Sequence, residues 1–251
     1  MCVGIGQSKL KKDKEDKPLK DLSKALDEIR SEFPANYKIH LFSHAGIIRQ
    51  GSLDVDPAQF AWVSEKANGG TWPVFNVRVE GGWKNKSNDP DYKGPYDVFY
   101  NPYVKDYLPK QRCIVPCDFY IEQPSDKKIR KKFLVKKQDD QALFLAGVYR
   151  TIKDEVTGLE ALAFCLLTTA HHPLNFKIGH HRSPVILSEE QAEVYLQNST
   201  KGKELLPFFK PYPSNDLEAY EVGLEIAKRN DQIATNDSSL IRPLGPIIKI
   251  S

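Results

Sequence analysis

The sequence predicts an α+β fold that is mainly β and forms one domain. Strand-like apolar segments outnumber helical ones along the chain. These segments do not alternate with long helices, as they would in a doubly wound sheet. The 251 residues, 40% of them hydrophobic, can bury one substantial core, and no repeat or linker divides them.

The first elements are a charged stretch and a helix. Residues 8–18 are so highly charged that we expect a solvated insert. Apolar residues then recur at three- and four-residue spacing, which predicts a helix from about Pro18 to Phe33 that ends at Pro34.

The remaining elements are mostly strands. The stretches KIHLFSHAGII and WPVFNVRVEGGW are strand-like, and the second alternates as a half-buried strand does. After a loop-rich segment, four more stretches read as strands: RCIVPCDFYIE, KFLVKK, ALFLAGVYR and ALAFCLLTT. SEEQAEVYLQ predicts a short helix capped by Ser188, and PLGPIIKI a late strand or a packed tail.

Composition narrows the class of protein. A net charge of +3 permits an anionic partner without demanding one. Four cysteines in a chain of this length favour a reducing compartment over a disulfide-stapled secreted domain. The N-terminus has no apolar leader and no apolar run is long enough to span a bilayer, so we expect a cytoplasmic protein with no membrane association.

The chain begins with Met1 followed by Cys2. If Met1 is removed, Cys2 carries both a free α-amine, with a pKa near ~8, and a thiol, with a pKa near ~8.5. Both groups would then be partly reactive near neutral pH. The alternative is an inert cysteine at a frayed terminus, and the position alone does not decide between them.

Four of the six histidines lie in HHPLNFKIGHHRSPVIL, as His171-His172 and His180-His181. Some of them could simply be exposed. A zinc site ranks low because no CxxC or HExxH spacing accompanies them, and we expect no metal. The catalytic interpretation uses one histidine as a general acid beside Arg182.

Two strands carry polar residues with two possible meanings. Asn76 and Arg78 share one face, either as solvated positions or as a patch that binds substrate and phosphate. Glu122 ends an apolar strand, either facing water or poised to move protons. On the same strand, the C-x3-C spacing of Cys113 and Cys117 suits buried structural thiols better than redox or metal chemistry.

A basic run occupies residues 126–137, with seven Lys or Arg and one Asp. Most such runs are solvated hairpins. This one could also attract a polyanion without sequence preference.

Four ordered blocks resemble the SOS response-associated peptidase (SRAP) family. They are Met1-Cys2, FNVRVE, RCIVPCDFYIE and LLTTAHHPLNFKIGHHRSPVIL, and AGVYR also looks like a strand of that family. The resemblance implies one SRAP-like domain over residues 2–251, with curved antiparallel sheets, a barrel-like core and a few peripheral helices.

The resemblance also implies site residues. The catalytic set it implies is Cys2, Asn76, Glu122 and His180, and the DNA contacts are Arg78 and Arg182. The sequence departs from the family pattern at Val3-Gly4, where an arginine is missing, and at Phe119 and Gln123. The family motif that carries the base-stacking side chain cannot be identified in this sequence. Trp62 and Trp72 are the candidates for it, and Trp72 is our choice as a DNA contact.

The function implied by the resemblance is recognition of abasic sites in single-stranded DNA. Cys2 would form a thiazolidine crosslink after Met1 removal, with possible autoproteolytic and abasic-site lyase activity. We expect a monomer without a cofactor, cytoplasmic and associated with the nucleoid when bound to DNA. Two alternatives stay open: an N-terminal-nucleophile cysteine amidohydrolase, and a non-catalytic module that binds single-stranded DNA.

Overall fold

A computed structural model describes residues 4–7, 20–33, 35–51, 53–65, 70–80, 96–153, 158–228 and 234–250. The charged stretch at residues 8–18 therefore lies outside the described residues. The strands of the first half are β1 (Gly4–Gln7), β2 (Asn36–Ile39), β3 (His44–Arg49), β4 (Val55–Phe60), β5 (Trp62–Glu65), β6 (Thr71–Val74), β7 (Asn76–Arg78), β8 (Arg112–Cys117) and β9 (Phe119–Glu122). Those of the second half are β10 (Lys132–Lys137), β11 (Leu143–Lys153), β12 (Glu160–Ala170), β13 (Arg182–Pro184), β14 (Ile186–Leu187), β15 (Leu217–Val222) and β16 (Ile248–Lys249).

Five strands close into a barrel. Their order is β12-β4-β3-β8-β11, and β11 pairs again with β12, so the ring has no open edge. The β12–β4 pairing is parallel and the others are antiparallel. β13 and β7 extend the β12 side, and β14 pairs with β11. The predicted mainly β fold with a barrel-like core is confirmed.

A second, antiparallel sheet packs against the barrel. Its strand order is β16-β15-β10-β9-β1-β2. Successive residues of a strand point to opposite faces, and β8 uses both of its faces. Val115 packs in the hydrophobic cluster shared with the second sheet, whereas Ile114 packs in the cluster under the helices.

Among the residues that the structure describes, three α-helices lie around the sheets: α1 (Lys20–Glu32), α2 (Pro173–Lys177) and α3 (Glu189–Leu196). α1 confirms the predicted helix and buries Leu22, Leu26 and Ile29. α3 confirms the predicted cap, because Ser188 forms a capping box with Gln191. In the described ranges, no helix combines the length and apolarity needed to cross a membrane.

Two predicted strands are broken by turns. KIHLFSHAGII forms β2 and β3, separated at Phe42, whose φ of 69° is left-handed. RCIVPCDFYIE forms β8 in the barrel and β9 in the second sheet, because the chain changes sheet at Asp118. One continuous strand was the wrong prediction in both cases.

The stretch WPVFNVRVEGGW changes partner at Phe75. β6 pairs with β5, whereas β7 pairs in parallel with β12. The predicted alternation holds in β7, because Val77 is buried while Asn76 and Arg78 are partly exposed. The glycine pair 81–82 lies outside the described residues.

β1 is buried between β2 and β9 and is tied to the barrel by one side chain. The Gln7 amide donates to the carbonyl oxygens of Gly46 (3.0 Å) and Pro116 (2.6 Å), and its Oε1 accepts from the Gly46 N–H (3.0 Å). Gly6 lies under the Phe119 ring, where a Cβ atom would come within 2.1 Å of a ring carbon. β1 is therefore part of the core.

The Gln7→Met substitution preserves side-chain size but removes these three hydrogen bonds. We expect it to lower the free energy of unfolding by roughly 2–4 kcal/mol, because buried partners on Gly46 and Pro116 lose their bonds. Urea denaturation measures this. Gln138→Met is the control, since Gln138 is exposed and its loss should cost less than about 1 kcal/mol. Equal losses in both variants would contradict the bridging role of Gln7.

Candidate active site

Glu122 and His180 meet at the end of β9. Glu122 is fully buried, and its Oε1 accepts from the Gln123 N–H at 3.2 Å. The His180 Nε2 lies 3.6 Å from the same oxygen, and its Nδ1 lies 3.3 Å from the Ser125 Oγ. Two residues predicted from separate parts of the sequence thus form one buried pair.

Burial discourages charge on both members of this pair. It raises the pKa of the Glu122 carboxyl above its ordinary value. It lowers the pKa of His180 to about 3, so the imidazole is neutral at neutral pH. Burial therefore disfavours the imidazolium that a histidine acting as a general acid would need. The site holds a neutral histidine beside a carboxyl group whose proton is retained to higher pH than usual.

Asn175 fixes the turn that carries His180. It is fully buried, and its Oδ1 accepts from the Tyr120 hydroxyl at 2.7 Å while its Nδ2 donates to the Arg182 carbonyl at 3.1 Å. Its own carbonyl accepts from the His180 N–H at 2.8 Å. No role was predicted for Asn175 from the sequence, although a lone amide in the apolar stretch PLNF was a signal of a buried polar contact.

The other histidines of this segment have separate roles. His172 caps α2, because its Nδ1 accepts from the Leu174 N–H at 3.1 Å and its Nε2 contacts the Ser214 carbonyl at 2.9 Å. His171 stacks on Phe176, with ring centroids 4.8 Å apart. Across the described part of the chain, no group of three His, Cys, Asp or Glu side chains is arranged to hold a metal ion.

Arg182 is buried and ion-paired with Glu80. Its Nη2 donates to the Glu80 Oε2 at 2.7 Å and to the Thr168 carbonyl at 2.7 Å. Among the described residues, the Nε and Nη1 of Arg182 have no hydrogen-bond partner. Burial lowers the pKa of this guanidinium, and the nearby charge of Arg78 adds to the effect. This placement suits a residue that organises the site more than one that reaches into solvent.

The ion pair of Glu80 with Arg182 was not predicted from the sequence. Asn76 and Arg78 share one face of β7, and Glu80 lies in the turn that follows this strand. In the structure Arg78 lies opposite Thr168 in the β7–β12 pairing, and Thr168 also contacts Arg182. One polar face therefore carries Asn76 and the charged residues around Thr168.

The two tryptophans considered for a base-stacking wedge differ in exposure. Trp72 is 47% exposed on β6, opposite Ser64 of β5. Trp62 is 1% exposed and belongs to the core. Exposure therefore leaves Trp72 as the candidate for stacking on a base.

Cys2 lies outside the described residues. The three other cysteines, Cys113, Cys117 and Cys165, are buried, which was predicted for Cys113 and Cys117. Burial raises the pKa of the Cys113 and Cys165 thiols well above the ordinary value. Neither of these two thiols is suited to act as a nucleophile.

Comparison with known proteins identifies the family. The model of the SOS response associated peptidase (SRAP) family matches residues 97–229, a range that contains Glu122, His180 and Arg182. The chain belongs to the SRAP family. Cys2 and Asn76 lie outside the matched range.

Curated relatives agree with this assignment. The abasic site processing protein YoqW of Bacillus subtilis (strain 168) is 30% identical over 163 residues, which cover 64% of each chain. YobE of the same organism, also named an abasic site processing protein, is 29% identical over 48% of this chain and 55% of its own. The chain thus spans less than two thirds of the length of these relatives.

The fold is shared with solved structures of low sequence identity. The crystal structure of a protein from Bacteroides thetaiotaomicron aligns with a TM-score of 0.66 and 20% identity, over 95% of this chain and 99% of the other. A phage-related protein from Bordetella bronchiseptica aligns with a TM-score of 0.56 and 17% identity, over 88% and 94%.

The lowered pKa of His180 predicts acid sensitivity of the fold. Its contribution to stability is complete above the ordinary value of about 6.5 and is lost as the pH falls towards 3. Between pH 7 and pH 4, the wild type should lose up to about 3 kcal/mol more unfolding free energy than His180→Gln. Urea denaturation at both pH values measures the difference.

His44→Gln is the matched control for that experiment. His44 is exposed at the start of β3, so this variant should keep the acid loss of the wild type. An acid loss in His180→Gln equal to that of the wild type would show that His180 is not held neutral by burial.

Proposed function

We propose that this protein captures abasic sites in single-stranded DNA through a covalent bond to Cys2, exposed by removal of Met1. The observation that carries the proposal is the pairing of β1 with β9. β1 follows Cys2 in the chain, and β9 ends in Glu122. The relatives named abasic site processing proteins support the choice of substrate.

The reach of the chain supports a meeting of Cys2 with the Glu122–His180 pair. Gly4 lies opposite Ile121 in the antiparallel pairing, and Glu122 is the next residue of β9. Two residues of chain span at most about 7 Å. The α-amine and thiol of Cys2 would therefore lie within a short distance of this end of β9.

The chemistry of an N-terminal cysteine fits an abasic sugar. The sugar opens to an aldehyde, whose carbon is attacked by the α-amine, and loss of one water gives an imine. The sulfur then adds to the same carbon while the thiol proton moves to the nitrogen, which closes a five-membered thiazolidine. Because both nucleophiles sit on one residue, the second step is intramolecular, where effective molarities reach about 10⁵ M or more. An internal cysteine has no free amine.

The proton roles follow from burial. Loss of water needs a proton donor, and Glu122 is suited to this because its pKa is raised. His180 is neutral at neutral pH, so in this proposal it faces the Glu122 carboxyl as a neutral imidazole and does not supply the proton. This assignment replaces the imidazolium acid expected from sequence.

The polar face around Thr168 would hold the strand. Arg78, which is partly exposed, would contact a phosphate, and Asn76 on the same face would orient the Cys2 terminus by hydrogen bonds. Arg182 would keep Glu80 and the turn at His180 in place. Trp72 offers an exposed ring on which a neighbouring base can stack.

The decisive variant is Cys2→Ala. It keeps the α-amine but lacks the sulfur, so it should form only a reversible imine with an abasic strand. We expect no denaturation-stable adduct on a gel, and recovery of the adduct when borohydride reduces the imine. Cys2→Ser should behave in the same way, since a hydroxyl is a far weaker nucleophile than a thiolate.

Three results would count against this proposal. A stable adduct from Cys2→Ala without reductant would exclude the thiazolidine. Hydrolysis of small amides by the wild type without DNA, lost in Cys2→Ala, would favour an N-terminal-nucleophile amidohydrolase. Reversible, salt-sensitive strand binding with no adduct in any variant would favour the non-catalytic module.

Glu122→Gln tests the proton donor. The amide keeps the shape of the side chain but cannot give up a proton, so the crosslinking rate should fall about 100-fold or more. The wild-type rate should decline as the pH rises through the raised pKa of Glu122, and this decline should be absent from the variant. Single-turnover crosslinking across pH measures both. Glu160→Gln, an exposed position, is the control. An unchanged rate in Glu122→Gln would remove Glu122 from the reaction.

A further inference from the structure

A pocket of about 540 Å³ opens beside the Glu122–His180 pair. We call it the hairpin pocket, because residues 123–131, which join β9 to β10, form most of its wall together with Lys132 of β10. His180 contributes to the lining. Its Nε2 lies 3.6 Å from the Oε1 of Glu122. The pocket is thus continuous with the candidate active site.

The lining of the hairpin pocket is strongly basic. Within the described part of the chain, no acidic residue lines it and four cations do: Lys127, Arg130, Lys131 and Lys132. The one acidic residue of the tip, Asp126, turns its carboxylate to the Lys128 N–H at 2.9 Å. The positive charge of this wall is therefore not neutralised from within the pocket.

Two of the four cations are already engaged. Lys131 is paired with Glu221 at 2.7 Å, and Lys132 contacts the Gln123 side chain. Lys127 and Arg130 are exposed and have no acidic partner among the described residues. They are the two side chains that can meet an incoming anion.

Apolar side chains stand beside these cations. Ile129 is 45% exposed and Leu224 is 40% exposed, and both line the hairpin pocket. Cations next to exposed apolar surface suit a ligand that has a phosphate and a flat apolar face. A nucleotide has both.

We propose that the hairpin pocket binds one nucleotide of the single strand, next to the abasic residue and on one side of it only. Lys127 and Arg130 contact its phosphate, and Ile129 with Leu224 supports its base. This inference rests on the proposed function, because it takes the Glu122–His180 pair as the seat of the abasic sugar. It assigns a role to the basic run at residues 126–137, which takes no part in the proposed reaction.

The test is the double variant Lys127→Gln/Arg130→Gln. Binding of an undamaged single strand should weaken about 5-fold at 0.1 M salt, and the dependence of log K on log salt should fall by about 0.7, the share of one phosphate on a single strand. Lys105→Gln/Lys110→Gln is the control, because both lysines are exposed and lie away from the hairpin in sequence. Equal losses in the two double variants would overturn the proposal, since they would report only net charge.

Position on the strand gives a second readout. Strands carrying a tetrahydrofuran abasic analogue at the 5′ or the 3′ end cannot crosslink, because the analogue has no aldehyde. The hairpin variant should bind one of these strands more weakly than the wild type does and bind the other equally well. Similar weakening for both ends would overturn the one-sided subsite.

Two further measurements distinguish a strand subsite from a small-molecule site and from a failed reaction. If a free deoxynucleoside monophosphate displaced the strand from the wild type at micromolar concentration, the hairpin pocket would be a small-molecule site and the proposal would fail. If the wild type failed to crosslink an aldehyde strand, the proposed reaction would fail, while the salt dependence on undamaged DNA would still report on the pocket.

Discussion

The burial of β1 between β2 and β9 is the constraint on which the site depends. An amino-terminal segment usually frays, because few contacts hold it. Here the Gln7 amide bonds to the backbone of Gly46 in β3 and Pro116 in β8, and Gly6 leaves room for the Phe119 ring. β1 is therefore fixed in register against β9, the strand that ends in Glu122.

Burial then sets the electrostatics of the site. Removal from water raises the pKa of an acid and lowers that of a base, so one cause acts in opposite directions on Glu122 and His180. The result is a buried pair in which the charged form of each member is disfavoured. Arg182 is different, because it keeps its charge in an ion pair with Glu80, with 2.7 Å between the Arg182 Nη2 and the Glu80 Oε2. His180, which burial keeps neutral, and the ion-paired Arg182 thus lie two residues apart in the chain.

Sequence patterns predicted the local elements and failed where long-range contacts decide. The periodicity of α1 and the Ser188 cap depend on neighbours a few residues away, and both were confirmed. The breaks at Phe42 and Asp118 depend on which sheet each half of a strand joins, and strand periodicity carries no such information.

The same limit applies to the site. Glu122 and His180 came from a family resemblance, and their contact at 3.6 Å joins residues from separate elements. Glu80 pairs with Arg182 across 102 residues and Asn175 bonds to Tyr120 across 55, so no local pattern could identify the partner of either residue. The lowered pKa of His180 also could not be predicted from the sequence, because its cause is burial in the fold.

Peptide mapping of the protein–DNA adduct tests the central claim most directly. After crosslinking to an abasic strand and digestion of protein and DNA, mass spectrometry locates the residue that carries the sugar. The account predicts the sugar on a peptide that begins at Cys2, with a mass equal to the sum of the two parts minus one water. A sugar on a lysine of the hairpin, or a crosslinked peptide that still begins at Met1, would contradict it.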